Sequence, residues 1–593
     1  MKYLFEMKFK EKLIPIFLFT FIFISNFLYP LIIVASNSNH ETMIVSGVVP
    51  HHLLAETMID HFFKHMACQG KIENIILLSP DHFQSAVINH HCSFITSVRQ
   101  LNSGHFMDLP FKTDFTDGFS KEIKINDNCS AIAYDHGITN LLPFIKKYLP
   151  KANILPILIP EGTTEKQIEQ LVKLIDKNTS PLTVMIASVD FSHYLPANAA
   201  AFHDIKSIRT LLNFEKDDFK NIEVDCWQAL YAIRFFAILR HGEIPQFIDY
   251  KCADDFLNLQ TNETTSYFSL VYGSNFSNGV DVRTTGLNKS RDVKTILFTG
   301  DIMLDRGVKE CMQKNSFYYP FSNIHQFLRG IDRVFGNLEG PIVDETPDFS
   351  HQSLRFAFGI ETLKSISSAC FNLLSLANNH TLDMGISGFN ETIKHLEEYH
   401  IHSTGNPFYD QPHLQGSAFI SDDIVFSAFN RILPFKRKDS DILKTIKELH
   451  VHHPEKWLVV SMHWGNEYQE NCSPAQKQLA QRMIEAGADI IIGHHPHVVQ
   501  GIERYLDGII FYSLGNFVFD QSFSEETQKG LAVGLEAYPG QLIFRLFPIQ
   551  IDLCQPALMD NLNTRRFLKE LAKRSDAQLV DEIERGIIIV KRR

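Results

Sequence analysis

Several apolar runs in this sequence end abruptly in histidine, aspartate or asparagine, the side chains that hold cations and move protons. In the amino-terminal half such ends supply His51, His82, Asp190 and His193, with Cys226 further along. Imidazole, carboxylate and thiolate together make a ligand set for iron, copper or zinc, and geometry decides among them. The carboxyl-terminal half repeats the pattern more densely. Asp301 stands in TGDIML, Asn337 and Glu339 in FGNLEG, and Asn378, Asn379 and His380 in LANNHTLDMG. His463 follows in SMHWG, and His495 and His497 in GHHPH. Carboxylate, carboxamide and imidazole at successive strand ends suit a dinuclear Mn, Fe or Zn hydrolase, whose cations neutralise charge on the attacked group. Glycines beside these residues, at 300, 336, 465 and 493, permit tight turns and close approach.

These residues need a scaffold that gathers them. The runs preceding them are short, continuous and rich in β-branched residues: MIVSGVV, NIILLS, TVMIAS, TILFTG, LLSLA, WLVVSM and DIIIG. Runs of that kind suit strands buried on both faces. Helical patterns alternate with them. Phe389, Ile393 and Leu396 share a face, and Ser473 before Pro474 reads as an N-cap and first-turn proline, with Gly487 as the stop. The expectation is α/β architecture, in which functional residues collect at the carboxyl ends of strands.

The chain has 593 residues, a length for two to four domains, and a net charge of −12. Hydrophobic residues make up 45% and charged residues 21%, which excludes global disorder. The acidic balance argues against a nucleic-acid partner. Nine cysteines are too few for a disulfide scaffold, and an odd number cannot all pair within the chain.

Lys2, Lys8, Lys10 and Lys12 mark a basic segment at 1–12, followed by an uncharged apolar run at 13–35. As a helix that run extends about 35 Å, enough to span a bilayer. With no Lys or Arg over 36–63, the positive-inside rule puts the amino terminus in the cytoplasm and the rest of the chain outside. A cleaved signal ending at Ala35 is the rival reading, but the run is longer than a signal's apolar region. Residues 273–292, rich in Gly, Ser, Asn and Thr, read as a linker between domains at 41–272 and 293–550. A carboxyl-terminal extension at 551–593 ends in GIIIVKRR, read as an ordinary terminal helix or strand.

In the first domain the order of VVPHH, LLSPDHF, DHGITNLLPFI, ASVDFSHY, the Asp225-Cys226 segment and TSYFSLVYG resembles the Memo family. That family's fold is similar to the class III extradiol (LigB-type) dioxygenases. The resemblance implies a metal, iron or copper among the possibilities, held by His51, His82 and Cys226, with Asp190 and His193 lining the pocket. Asp135-His136-Gly137 stands where the family usually has Glu-His-Ser.

From 295 through SLGNF at 513–517, the second domain resembles the poly-γ-glutamate capsule-biosynthesis (CapA/PgsA-type) family, whose fold is similar to the calcineurin-like metallophosphoesterases. The resemblance makes Asp301, Glu339, Asn379, His463, His495 and His497 ligands of a divalent Mn, Fe or Zn, with His380 as general acid. The wider superfamily has Asp-x-His where this chain reads Asp301-Ile302-Met303, and a thioether is a poor ligand for a hard cation. The expected function is that of a membrane-anchored envelope protein. It would process an anionic polymer by metal-dependent hydrolysis or transfer, alongside capsule-assembly proteins. A non-catalytic polymer-binding or export scaffold on the same fold is the alternative.

Overall fold

The computed structural model describes residues 43–591 except 85–93, 97–104, 107–108, 111–124, 128, 214–215, 275–292, 348–353, 408–417, 422 and 435. The basic segment at 1–12, the apolar run at 13–35 and most of the expected linker therefore lie outside the described residues. Among the described residues no helix is long and apolar enough to cross a membrane.

The first domain is built on one mixed sheet. Its strands run in the order Ile244–Cys252, Thr264–Ser274, Met43–Val49, Thr183–Ser188, Asn74–Pro80, Asn153–Ile159, Phe94–Thr96 and Ile125–Asp127. The central pairings, from Met43–Val49 through Thr183–Ser188 and Asn74–Pro80 to Asn153–Ile159, are parallel. Every residue of Asn74–Pro80 and Thr183–Ser188 is buried, as their unbroken apolar runs require. Parallel strands point their carboxyl ends the same way, which brings His51, His82 and Asp190 to one edge. A short strand, Phe191–Leu195, turns back against Thr264–Ser274 and carries His193 with it.

The second domain is a sandwich of two sheets. One has the order His402–Thr404, Phe371–Ser375, Arg333–Leu338, Lys294–Ile302, Lys529–Tyr538, Gln541–Asp552 and Gln555–Leu558. The other runs Ala418–Ile420, Ile424–Asn430, Trp457–His463, Ile490–His494, Gly508–Phe511 and Ile502–Tyr505. Phe298, Phe335 and Leu373 from the first sheet share a core with Phe426, Val459, Ile492 and Phe511 from the second. Helices Asp439–His452 and Pro474–Glu485 cover the outer face of the second sheet. Ser473 caps the latter helix through a reciprocal pair with Gln476, Pro474 opens it, and Gly487 lies just beyond its end at φ +113°. Residues 551–591 are integral to this domain: Ile587–Lys591 pairs antiparallel with Gln541–Asp552, and Leu568, Leu571 and Ile583 enter the inter-sheet core.

The two domains share apolar packing and buried charge. Leu195 and, from helix Ala197–Asn213, Ala199, Ala200 and Phe202 of the first domain join a core otherwise built by the second. Further along the helix, Arg209 is 2% exposed. Its guanidinium donates to both oxygens of Asp332 (2.6 and 2.7 Å), to Asp218 (2.9 Å) and to the Val293 carbonyl (2.8 Å). Burial raises the Asp332 carboxyl, but the Arg209 hydrogen bonds and Lys206 outweigh it and hold the group below its ordinary range. Breaking one side of a buried pair leaves a charge without water or partner. Arg209→Ala is therefore expected to lower stability by about 3 kcal/mol, read as a fall in urea midpoint. Because Asp332 is depressed in the folded state, the wild-type contribution is present above the ordinary carboxylate pKa and fades as pH falls below it. An unchanged midpoint in Arg209→Ala at pH 7 would show that the clamp contributes nothing.

Candidate metal centres

At the edge of the first sheet, His51, His82 and His136 each offer a ring nitrogen, all within 4.8 Å of one another. The His82 and His136 ring centroids are 3.9 Å apart, and His51 lies 4.8 and 5.1 Å from them. Asp135 accepts from His82 Nδ1 at 3.0 Å and from the Gly137 amide at 2.9 Å, so it caps a short helix and orients an imidazole at once. A carboxylate behind a histidine in this manner fixes its tautomer and leaves Nε2 for a cation. Burial and then the His82 charge hold both His51 and His136 below the ordinary imidazole pKa. Neutral imidazoles are the form that ligates, so this donor set fits a transition metal.

Asp190 and Asp225 stand behind His51. Its Nε2 lies 3.5 Å from Asp190 Oδ2 and 3.6 Å from Asp225 Oδ2, and the Asp190 amide donates to Asp225. Burial, then the neighbouring Asp190, pushes Asp225 well above the usual carboxylate range. His193 is lowered by burial and partly restored by Asp190. Cys226 is not in the three-histidine group. Its buried thiol contacts Gln228 Oε1 at 3.7 Å, and burial followed by Asp225 raises its pKa. His136 and Asp225 were not singled out as site residues by sequence; adjacency to Asp135 and Cys226 was the available signal.

In the second domain the register of the strands assembles the site. Asp301 is paired with Asn337 across parallel strands, and His463 with His494. Asn337 is the hub, and as a plain asparagine it was not assigned a ligand role. Its Nδ2 reaches Asp301 Oδ1 at 2.9 Å, His463 Nδ1 at 3.2 Å and Glu339 Oε1 at 3.3 Å. His463 Nε2 donates to Asn379 Oδ1 at 2.7 Å. Asp301 also meets His494 Nδ1 at 3.1 Å, and its second oxygen accepts from the His495 amide at 3.1 Å. His497 Nδ1 lies 3.4 Å from that oxygen and 2.9 Å from Asn516 Oδ1.

Among the described residues of this domain, two groups have cation spacing, Asp301–Glu339–His497 and Glu467–His495–His497. They share His497, and Glu467 again escaped the sequence reading. His495 and His497 have φ of +95° and +58°, left-handed conformations that cost about 1–3 kcal/mol each and persist only where the surroundings impose them. Close approach explains the neighbouring glycines. A Cβ on Gly300 would meet the Gly515 carbonyl at 2.1 Å, and one on Gly493 the Tyr512 carbonyl at 1.9 Å.

Burial, then Asp301, pushes Glu339 well above the usual range. Burial also lowers His463 and His495, the latter to about 4. Two buried carboxylates among neutral imidazoles form a site short of positive charge, and a divalent cation suits it. Met303, where a histidine ligand would stand, has its sulfur 3.1 Å from the Asp305 amide. His380 lies at the rim with Nδ1 at 2.9 Å from Asp383 Oδ2 and its ring 4.2 Å from Phe356. Its charge is felt by His495 and His497.

Two protein families match parts of this chain. Residues 295–521 match the bacterial capsule synthesis protein family PGA_cap, and residues 26–229 match the Memo-like protein family. Capsule biosynthesis protein CapA of Bacillus anthracis is 30% identical over 321 residues, covering 48% of this chain and 74% of that one. PGA biosynthesis protein CapA of Bacillus subtilis is 31% identical over 315 residues, 50% of this chain and 82% of the relative. A MEMO1 family protein of Pyrobaculum arsenaticum is 23% identical over 182 residues, 29% of this chain and 61% of that protein. With its histidine- and aspartate-bearing motifs inside the matched segment and its similarity extending over most of the CapA relatives, this chain belongs to the bacterial capsule synthesis family and carries a Memo-like domain ahead of that part.

Proposed function

We propose that the second domain hydrolyses or transfers a bond in an anionic envelope polymer such as poly-γ-glutamate, with Mn, Fe or Zn as its divalent cation. The convergence of Asp301, Glu339, Glu467, His495 and His497 at the strand ends supports this reading most directly. When bound, such a cation supplies Lewis acidity and neutralises charge on the attacked group. Asn337, His463 and Asn379 hold the carboxylates and imidazoles in place. Asp383 takes His380 Nδ1–H, which aims Nε2 outward to protonate a departing group. The first domain is proposed as a second metal centre, iron or copper, on His51, His82 and His136, with Cys226 as a further donor and Asp190 and His193 lining it. The chain is proposed to sit on the outer face of the cytoplasmic membrane, anchored through 13–35, beside other capsule-assembly proteins.

A scaffold that binds polymer without turnover is the second reading, favoured by the Met303 sulfur engaged with the Asp305 amide. Two substitutions in the full-length protein separate the readings. His495→Ala is expected to lose metal and turnover together. His380→Ala should keep the metal and slow turnover by about 10²–10⁴-fold, as loss of a positioned proton donor does. If His380→Ala complements a deletion strain fully and no phosphodiester or γ-glutamyl substrate is turned over, the enzymatic reading gives way to the scaffold.

For the first domain, replacing His51, His82 and His136 together with alanine should remove one metal equivalent and leave that of the second domain. Elemental analysis of the purified protein reads this, and retained metal would refute the histidine centre. Cys226→Ala should lower metal retention, while an unchanged content would take the thiol out of the site. A reporter fused after His40 is expected outside the cytoplasm, with the full-length chain in the membrane fraction. Cytoplasmic, soluble protein would refute the envelope location.

A further inference from the structure

Helix Arg306–Lys314 carries Cys311, a residue of neither centre, whose sulfur lies 3.8 Å from that of Cys554. Cys554 occupies the turn between strands Gln541–Asp552 and Gln555–Leu558. Asp552 pairs with Gln555, so Leu553 and Cys554 form a two-residue turn, with φ of +45° and +69°. Such turns favour Asn-Gly, because a side chain with φ above zero is strained. A cysteine there is costly on conformational grounds, and this one faces another cysteine 243 positions away in sequence. The tip is also held from the side. Gln555 Nε2 donates to the Tyr319 carbonyl (2.8 Å) and to Ser322 Oγ (2.6 Å), so the hairpin is fixed where its sulfur faces the helix.

We propose that Cys311 and Cys554 form a reversible disulfide that locks helix Arg306–Lys314 to this hairpin. The oxidant is an external disulfide, either oxidised glutathione or the cystine of a thiol oxidoreductase. Cys311, the more exposed of the two, attacks one sulfur as its thiolate and releases the other as a thiol, leaving a mixed disulfide. Cys554 then loses its proton, attacks the Cys311 sulfur and expels the second thiol. Two protein thiols become one S–S bond, and their two electrons and two protons reduce the external disulfide to two thiols. Burial, followed by the neighbouring Cys311, pushes the Cys554 thiol up to about 12, consistent with its acting second. The helix's other end is already anchored, because Arg306 pairs with Asp520 and lies over Phe356, the ring that packs on His380. The disulfide would fix both ends of a helix that opens at the rim of the second centre, whatever reaction occurs there.

The test uses the full-length wild-type protein, reduced and then equilibrated with mixtures of reduced and oxidised glutathione before alkylation and peptide mapping. The expected result is a cross-linked peptide pair containing Cys311 and Cys554, two hydrogens lighter than the separate peptides and released by dithiothreitol. Oxidised protein should melt about 5 °C higher than reduced, since closing a long loop restricts the unfolded chain. Cys311→Ser should abolish that difference. Recovery of both cysteines alkylated, or each carrying glutathione, across the oxidising range overturns the proposal. A cross-link without a rise in melting temperature overturns the locking role.

Discussion

Asp301 is fully buried at the end of a strand, and the second domain is organised around keeping it ionised. Desolvation alone would protonate it. The His494 ring, the His495 amide and the Asn337 carboxamide instead converge on its two oxygens, and the carboxyl is held below its usual range. Each of those donors comes from a strand end or the loop after it. The strand register, the close-packed glycines and the left-handed histidines are thus conditions for one charge to exist there. The same charge raises Glu339 beside it. What results is a deficit of positive charge that the described side chains of the site leave in place.

The strands and their order of use were legible because parallel, doubly buried strands write themselves as unbroken apolar runs. TILFTG, WLVVSM and DIIIG each end where their strands deliver Asp301, His463 and His494. The helix at Pro474–Glu485 was equally plain, since cap, first-turn proline and stop glycine are all local signals. Glu467 was not legible as a site residue, and Asn337, legible as a candidate, was not legible as the hub. An asparagine hub differs from any other strand asparagine only by what the neighbouring strand places opposite it, and Glu467 sits on an exposed loop whose course no local pattern encodes. His136 was hidden for a related reason: what makes it part of the site is its distance from His51 and His82, which distant strand ends set.

The first domain solves a similar problem with the roles exchanged. There the imidazoles cluster at the centre, and the carboxylates Asp135, Asp190 and Asp225 stand behind them. Buried acids orient or face the rings, whereas in the second domain rings and amides support a buried acid. Both arrangements follow from parallel strands that end together.

The shared core around helix Ala197–Asn213 bears on how this pairing of domains is inherited. Phe202 packs on Phe547, His203 hydrogen-bonds the Phe327 carbonyl, and the Gln326 side chain donates to the His193 carbonyl in the first domain's own site. A substitution on either side of that seam is felt by the other, so the two halves drift together and neither can be traded for a homologue without its counterpart. In lineages that keep this fusion, changes at 202, 203 and 209 should be accompanied by changes at 547, 327 and 332, and recombination within the linker should be purged.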